Sequence, residues 1–255
     1  MSINSGNKPI YESEKSLLEQ LRNSYPEELK EKIVEDGLCW AAISNEMPDT
    51  SRRNWPECLW TDSSRRVLFL LKEPNGNEGE DYKDWDWSNG TERFGNVLAY
   101  WLEGIMTTNV EYCPKYNEKS SRQNIFKKYP LAITNLKKIA GDSSADWAEI
   151  WEYAERDKKF LQIQIREILK PNIIVCGGSN DKKNRKVVSI ALDYIFPDIK
   201  EGFKKVNNWC YYNSEADILL IDSYHPTYFG INEQDKVEGL INGFYDFILK
   251  IKYTH

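Results

Sequence analysis

Four short apolar runs constrain this chain more than any other feature. The clearest is Val67 to Leu71, Val-Leu-Phe-Leu-Leu, which stops at Glu73-Pro74-Asn75-Gly76. An unbroken run of strand formers, too short for a helix and closed by a turn, reads as a strand buried on both faces. Pro130 to Leu136, Asn172 to Cys176 and Asp217 to Asp222 repeat the pattern. Between them lie stretches with helical spacing. One includes Asn96 to Leu102, one runs from Asp146 to Leu169, and one follows Gly177-Gly178-Ser179 as far as Tyr194. A last helix is expected from Gln234 to Ile251. Strands alternating with helices specify an α/β domain with a mainly parallel sheet.

Ahead of this core, residues 12–36 carry a helical pattern, with Leu17, Leu18 and Leu21 on one side and Gly37 as a stop. Trp40, Ala41 and Ile43 extend that packing, and 45–62 reads as a connecting segment rich in turn formers. The expected division is therefore a helical extension over 1–62, packing on a core over 63–255. Residues 197–217 are expected to form an edge hairpin or strand.

Composition narrows the class. At 255 residues the chain suffices for one large α/β domain, or for two small ones. No apolar stretch approaches the roughly 20 residues that a membrane span needs, and the first residues carry no apolar signal core. The five cysteines are scattered, with no C-x-x-C pair, so no metal or iron–sulfur cofactor is expected. A cytoplasmic protein with free thiols is the expectation. A net charge of −6 counts against a purely electrostatic nucleic-acid binder, although a basic cleft on an acidic body is compatible with it.

Parallel strands bring their carboxyl ends to one edge, where ligands bind in open α/β sheets. The polar residues that follow the runs are Glu73, Asn135, Gly177–Ser179 and His225. Glu73 is either a general base or part of a solvated acidic loop. Gly178 and Ser179, with Lys182 and Lys183 beyond, form either an anion-binding turn or a plain strand-to-helix turn. Trp85 and Trp87 read as loop anchors, the alternative being stacking on a flat ligand. His225 is the one internal histidine. A carboxylate that orients water, an amide that pairs with a base edge and an imidazole that donates to a base oxygen together suit cleavage of a base from a sugar. Such a base must first be extruded from the stack.

The order of these motifs resembles the uracil-DNA glycosylase superfamily. The resemblance runs from Leu71-Lys72-Glu73-Pro74-Asn75-Gly76, through Arg93-Phe94-Gly95-Asn96 and Ile133-Thr134-Asn135-Leu136, to His225-Pro226-Thr227. It implies a three-layer α/β/α fold around a central four-stranded, mainly parallel sheet. It also implies a monofunctional, cofactor-free DNA glycosylase acting as a monomer on single- or double-stranded DNA. In that reading Glu73 and His225 are catalytic. Asn135, Phe94 and Pro74 hold the base. Gly178, Ser179, Lys182, Lys183, Tyr228 and Phe229 contact DNA, with Tyr228 or Phe229 as the wedge. The sequence departs from the pattern at Leu71, where the superfamily carries Gly, and in lacking the cluster cysteines. Alignment on the proline puts Lys72 in the place of Glu73. A bulky modified base, and a role in defence against phages carrying such bases, fit those departures. The other readings are a non-catalytic nucleic-acid or nucleotide binder of the same fold, and an enzyme acting on a phosphorylated small molecule.

Overall fold

The computed structural model describes residues 9–39, 55–74, 81–82, 87, 92–141, 145–178 and 186–252. Its strands are β1 (Gly37–Leu38), β2 (Val67–Leu71), β3 (Ala132–Asn135), β4 (Ile173–Gly177), β5 (Lys204–Lys205), β6 (Cys210–Asn213) and β7 (Ile218–Ser223). The helices used below are α1 (Ile10–Ser24), α2 (Glu27–Lys30), α3 (Trp55–Asp62), α4 (Arg93–Thr107), α5 (Arg122–Lys128), α6 (Trp147–Arg156), α7 (Lys158–Gln162), α8 (Val187–Ile190) and α9 (Glu233–Lys252).

The α/β class stands, but the expected four-stranded sheet is corrected. The sheet has seven strands and is mixed, in the order β1-β3-β2-β4-β7-β6-β5. The four apolar runs form its centre and pair in parallel, with Leu71 opposite Asn135, Phe69 opposite Val175 and Gly177 opposite Ser223. Three antiparallel strands extend it. β1 pairs with β3 on one side, and the β6–β5 hairpin pairs with β7 on the other. β5 and β6 form an edge hairpin within 197–217, where an edge hairpin or strand is expected, whereas β1 escapes a sequence count because it is only two residues long.

Alternation along the central strands builds two cores. Leu68, Leu70, Ala132, Ile174 and Leu220 face one side, under Leu17, Leu18 and Leu21 of α1, Ile150 of α6 and Leu161 of α7. Val67, Phe69, Leu71, Ile133 and Val175 face the other, under Trp101 of α4, Phe126 of α5 and Phe244 of α9. Each fully buried side chain of this size contributes about 1.5–3 kcal/mol, so both helical layers are held by the same strands. The N-terminal 1–62 stretch thus supplies a core-packing helix and, through β1, a strand of the sheet itself.

Local structure departs from the sequence reading in three places. α3 lies inside the segment read as a connector, and α5 inside the polar 107–128 stretch. The helix expected over 146–169 breaks at Asp157 and continues from α7 as a π-helix over Ile163–Leu169. Trp40, Ala41 and Ile43 lie outside the described residues.

Candidate active site

The carboxyl ends of the parallel strands meet closely. The Gly178 N–H donates to Ser223 O at 2.8 Å, Leu136 N to Leu71 O at 2.9 Å and Lys137 N to Lys72 O at 2.9 Å. Gly177 allows this approach. A Cβ on it would sit 2.7 Å from Leu71 Cδ2 and 3.5 Å from Pro226 Cδ. Leu71, at the position where the resemblance predicts Gly, is buried against that bare backbone. Gly178 follows with φ of +146°, a conformation that strains any residue with a side chain.

His225 follows β7. Its Nδ1 lies 2.8 Å from Thr227 Oγ1 and accepts the Thr227 backbone N–H at 3.3 Å. With Nδ1 occupied as an acceptor, the proton of the neutral ring belongs on Nε2, which becomes a donor. Desolvation, then the charges of Lys72 and Lys236, push the imidazole pKa down to about 3. The ring therefore stays neutral across physiological pH. Phe94, in the first turn of α4, packs beside it with ring centroids 6.1 Å apart. Trp87 backs Phe94 at 5.7 Å and donates its Nε1–H to Tyr82 O, so this tryptophan packs down as an anchor.

The loop after His225 is clamped by Lys236 of α9. The buried Lys236 Nζ donates to Pro226 O and to Tyr228 O, each at 2.7 Å. Burial, then Arg93, pushes its amine down to about 8, with Glu233 opposing. Tyr228 stacks on Tyr224, 5.6 Å away and nearly coplanar, which leaves Phe229 outermost at 85% exposure. Arg93 lies 5.7 Å over the Phe229 ring. Lys236 escapes a sequence reading because a single lysine in an amphipathic helix reads as surface.

Asn135 ends β3 and is fully buried. Its backbone N–H and its Nδ2 donate to Asp36 Oδ2 at 2.7 and 3.2 Å. A carboxylate accepts bonds, so it turns the amide nitrogen toward itself and the amide oxygen away. That Oδ1 is buried without a partner. Asp36 is itself held by Lys138 Nζ at 2.5 Å and by Gln164 Nε2, which also donates to Glu14. Glu14, Asp36, Lys138 and Gln164 are all at 0% exposure. Desolvation lowers the Lys138 amine pKa against the pull of Asp36. The one sequence hint of this network is Lys138 beside a strand end, where a solvated charge would be out of place.

Glu73 is enclosed, its side chain at 7% exposure, and pairs with Lys137 Nζ at 3.0 Å. Lys137 also meets Glu149 at 3.0 Å. Burial acts to lower the Lys137 amine pKa, but the two carboxylates outweigh it and raise it. Pro74 O accepts the Gly141 N–H at 3.1 Å, bringing bare backbone against the Glu73 carboxylate. The structure thus joins His225 with Phe94, and Asn135 with Asp36, while the bonded partner of Glu73 is Lys137. Ser179, Lys182, Lys183 and Trp85 lie outside the described residues.

Fold and site together define an α/β protein whose polar side chains gather at the carboxyl edge of its parallel strands. No family model and no curated protein sequence matches the chain. Among the described residues no helix is long and apolar enough to cross a membrane.

Proposed function

We propose that the protein is a DNA glycosylase. It hydrolyses the N-glycosidic bond of a uracil-like or modified base extruded from DNA and leaves an abasic site. The observation that carries this reading is the neutral His225 ring beside Phe94, with Nδ1 engaged by Thr227 so that Nε2 is the donor. A neutral donor matches a base oxygen that gains negative charge as the bond to C1′ breaks, and loss of such a donor costs about 2.7–4 kcal/mol in the barrier. The orphaned Asn135 Oδ1 supports it, since it is an open acceptor that a base N–H can fill.

In this mechanism the flipped base stacks on Phe94 and lies against Pro74. Asn135 Oδ1 accepts a base N–H. Glu73, positioned by Lys137, orients a water that attacks C1′ and takes the proton that this water sheds. The base leaves with the bonding electron pair while His225 Nε2–H donates to its oxygen. Phe229, exposed at the tip of a clamped loop, is the wedge and Tyr228 its stacked support. Contact with DNA is assigned in this reading to Gly178, Ser179, Lys182 and Lys183, the last three outside the described residues. The protein works as a cytoplasmic monomer without a cofactor, in repair or in defence against phages with modified bases.

The Glu73–Lys137 ion pair favours one other reading, a non-catalytic binder of the same fold. A base-release assay separates the two. Oligonucleotides carrying uracil, hypoxanthine, thymine mismatches or hydroxymethylated and glucosylated cytosine are incubated with the protein, and alkali reveals abasic sites. Cleavage at one base, lost in Glu73→Gln and His225→Ala, is the expected result. DNA binding without release on any substrate would establish the binder.

A further inference from the structure

Five lysines lie at the carboxyl edge of the parallel strands among the described residues, and four have their amines tied down. Lys137 is shared by Glu73 and Glu149, Lys138 is held by Asp36 and Gln164, Lys186 pairs with Asp222, and Lys236 donates to two carbonyls. Lys72 differs. It follows β2 directly, its stem runs past the bare backbone of Gly178, and its Nζ stands 5.5 Å over the Trp147 ring. Among the described residues the amine has neither a carboxylate nor a carbonyl as hydrogen-bond partner. It is half-buried, and its charge acts on His225. Burial lowers its pKa, with Glu73 opposing, which raises the fraction present as free amine.

We propose that Lys72 is a Schiff-base nucleophile and that the protein carries a second activity, cleavage of the DNA strand at an abasic site. The proposal rests on the glycosylase reading for its substrate, because the abasic sugar is that reaction's product. The Lys72 amine attacks the C1′ aldehyde of the ring-opened deoxyribose, and with one proton taken up from solvent the carbinolamine oxygen leaves as water, giving a protonated imine. The imine acidifies the C2′ proton, and Glu73, the carboxylate whose charge Lys72 feels, takes it. The C2′–H electron pair becomes the C2′=C3′ double bond, the C3′–O bond breaks, and the phosphate departs with the electrons of that C3′–O bond. Water then hydrolyses the imine, freeing Lys72 and an unsaturated aldehyde on the 3′ end of the upstream strand. The other four lysines cannot take this role without breaking the bonds that hold them.

The test uses an oligonucleotide with a preformed abasic site, so it does not depend on base release. The full-length protein is incubated with it in sodium cyanoborohydride, and the covalent complex is digested and mapped by mass spectrometry. An adduct on Lys72 is expected, with strand cleavage when the reductant is omitted. The Lys72→Arg protein, with a wild-type melting profile, should lose at least about tenfold of the trapped complex. No adduct, or one spread over surface lysines and undiminished in Lys72→Arg, would overturn the proposal. Mapping the adduct on the unaltered protein locates the nucleophile even if the variant fails to fold. A parallel base-release assay keeps the two readings apart. Release without trapping overturns the lyase and leaves the glycosylase, whereas trapping at Lys72 without release supports the lyase and counts against the glycosylase.

Discussion

Asp36 decides which end of the Asn135 amide is on offer. Its Oδ2 takes both the backbone N–H and the Nδ2 of Asn135, so the oxygen is the end left without a partner. An Asn side chain alone could read a donor or an acceptor. In the proposed base-binding role, Asn135 held in this way would read a donor.

Asp36→Asn should remove that preference and leave Lys138 without its counter-charge. Breaking a buried pair by removing one partner costs about 3–5 kcal/mol. Denaturant melts should show a loss of that order. Where the variant still folds, KM for a cleavable oligonucleotide should rise more than kcat falls. An unchanged KM would show that Asp36 supports the fold without positioning Asn135.

His225 ties stability to acid. Its folded pKa of about 3 lies below the ordinary 6.5. Between those values the unfolded chain binds a proton that the folded ring refuses, so stability falls as pH drops through that window. Above pH 6.5 both states are neutral there and the effect vanishes. In His225→Gln the fall in stability between pH 7 and pH 4 should be shallower than in wild type. Parallel curves would show that the ring is protonated in the fold.

Lys236 pins the loop that carries His225. Lys236→Met would orphan the Pro226 and Tyr228 carbonyls, each at a cost of about 1–3 kcal/mol if they stay buried. The loop is expected to open to water instead. Amide exchange over residues 224–231 should quicken while that of β2 and β4 holds. Equal acceleration in the central strands would mean that Lys236 supports the whole fold.

Phe229 offers the converse case, a large side chain with little to lose. Being mostly exposed, Phe229→Ala should change stability by no more than about 0.5 kcal/mol. If it is the wedge, base release from double-stranded DNA should fall well below that from single-stranded DNA, which needs no duplex opened. Equal losses on both would remove it from that role.

The four central strands were legible because burial on both faces demands unbroken apolar residues, and Val67–Leu71 and Ile173–Gly177 meet that demand with no partner known. Their parallel pairing followed from the helices between them, and with it the gathering of Glu73, Asn135, Gly178 and His225 at one edge. β1 was not legible, since two residues carry no periodicity and its pairing is supplied by β3, whereas β5 and β6 form an edge hairpin inside the 197–217 stretch expected to hold one. α3 was hidden by a Trp-Pro start that resembles a turn.

By itself, then, the amino-acid order determined the α/β class, the four central strands with their ends, and which side chains stand at those ends. Tertiary structure decided what those side chains are bonded to. Asp36 with Asn135, Glu73 with Lys137, and Lys236 with the loop after His225 each join residues on different elements. Local sequence periodicity reports only which face of its own element a residue occupies. The partner across the gap, and so the charge and orientation of the groups it holds, exists only once the layers have packed.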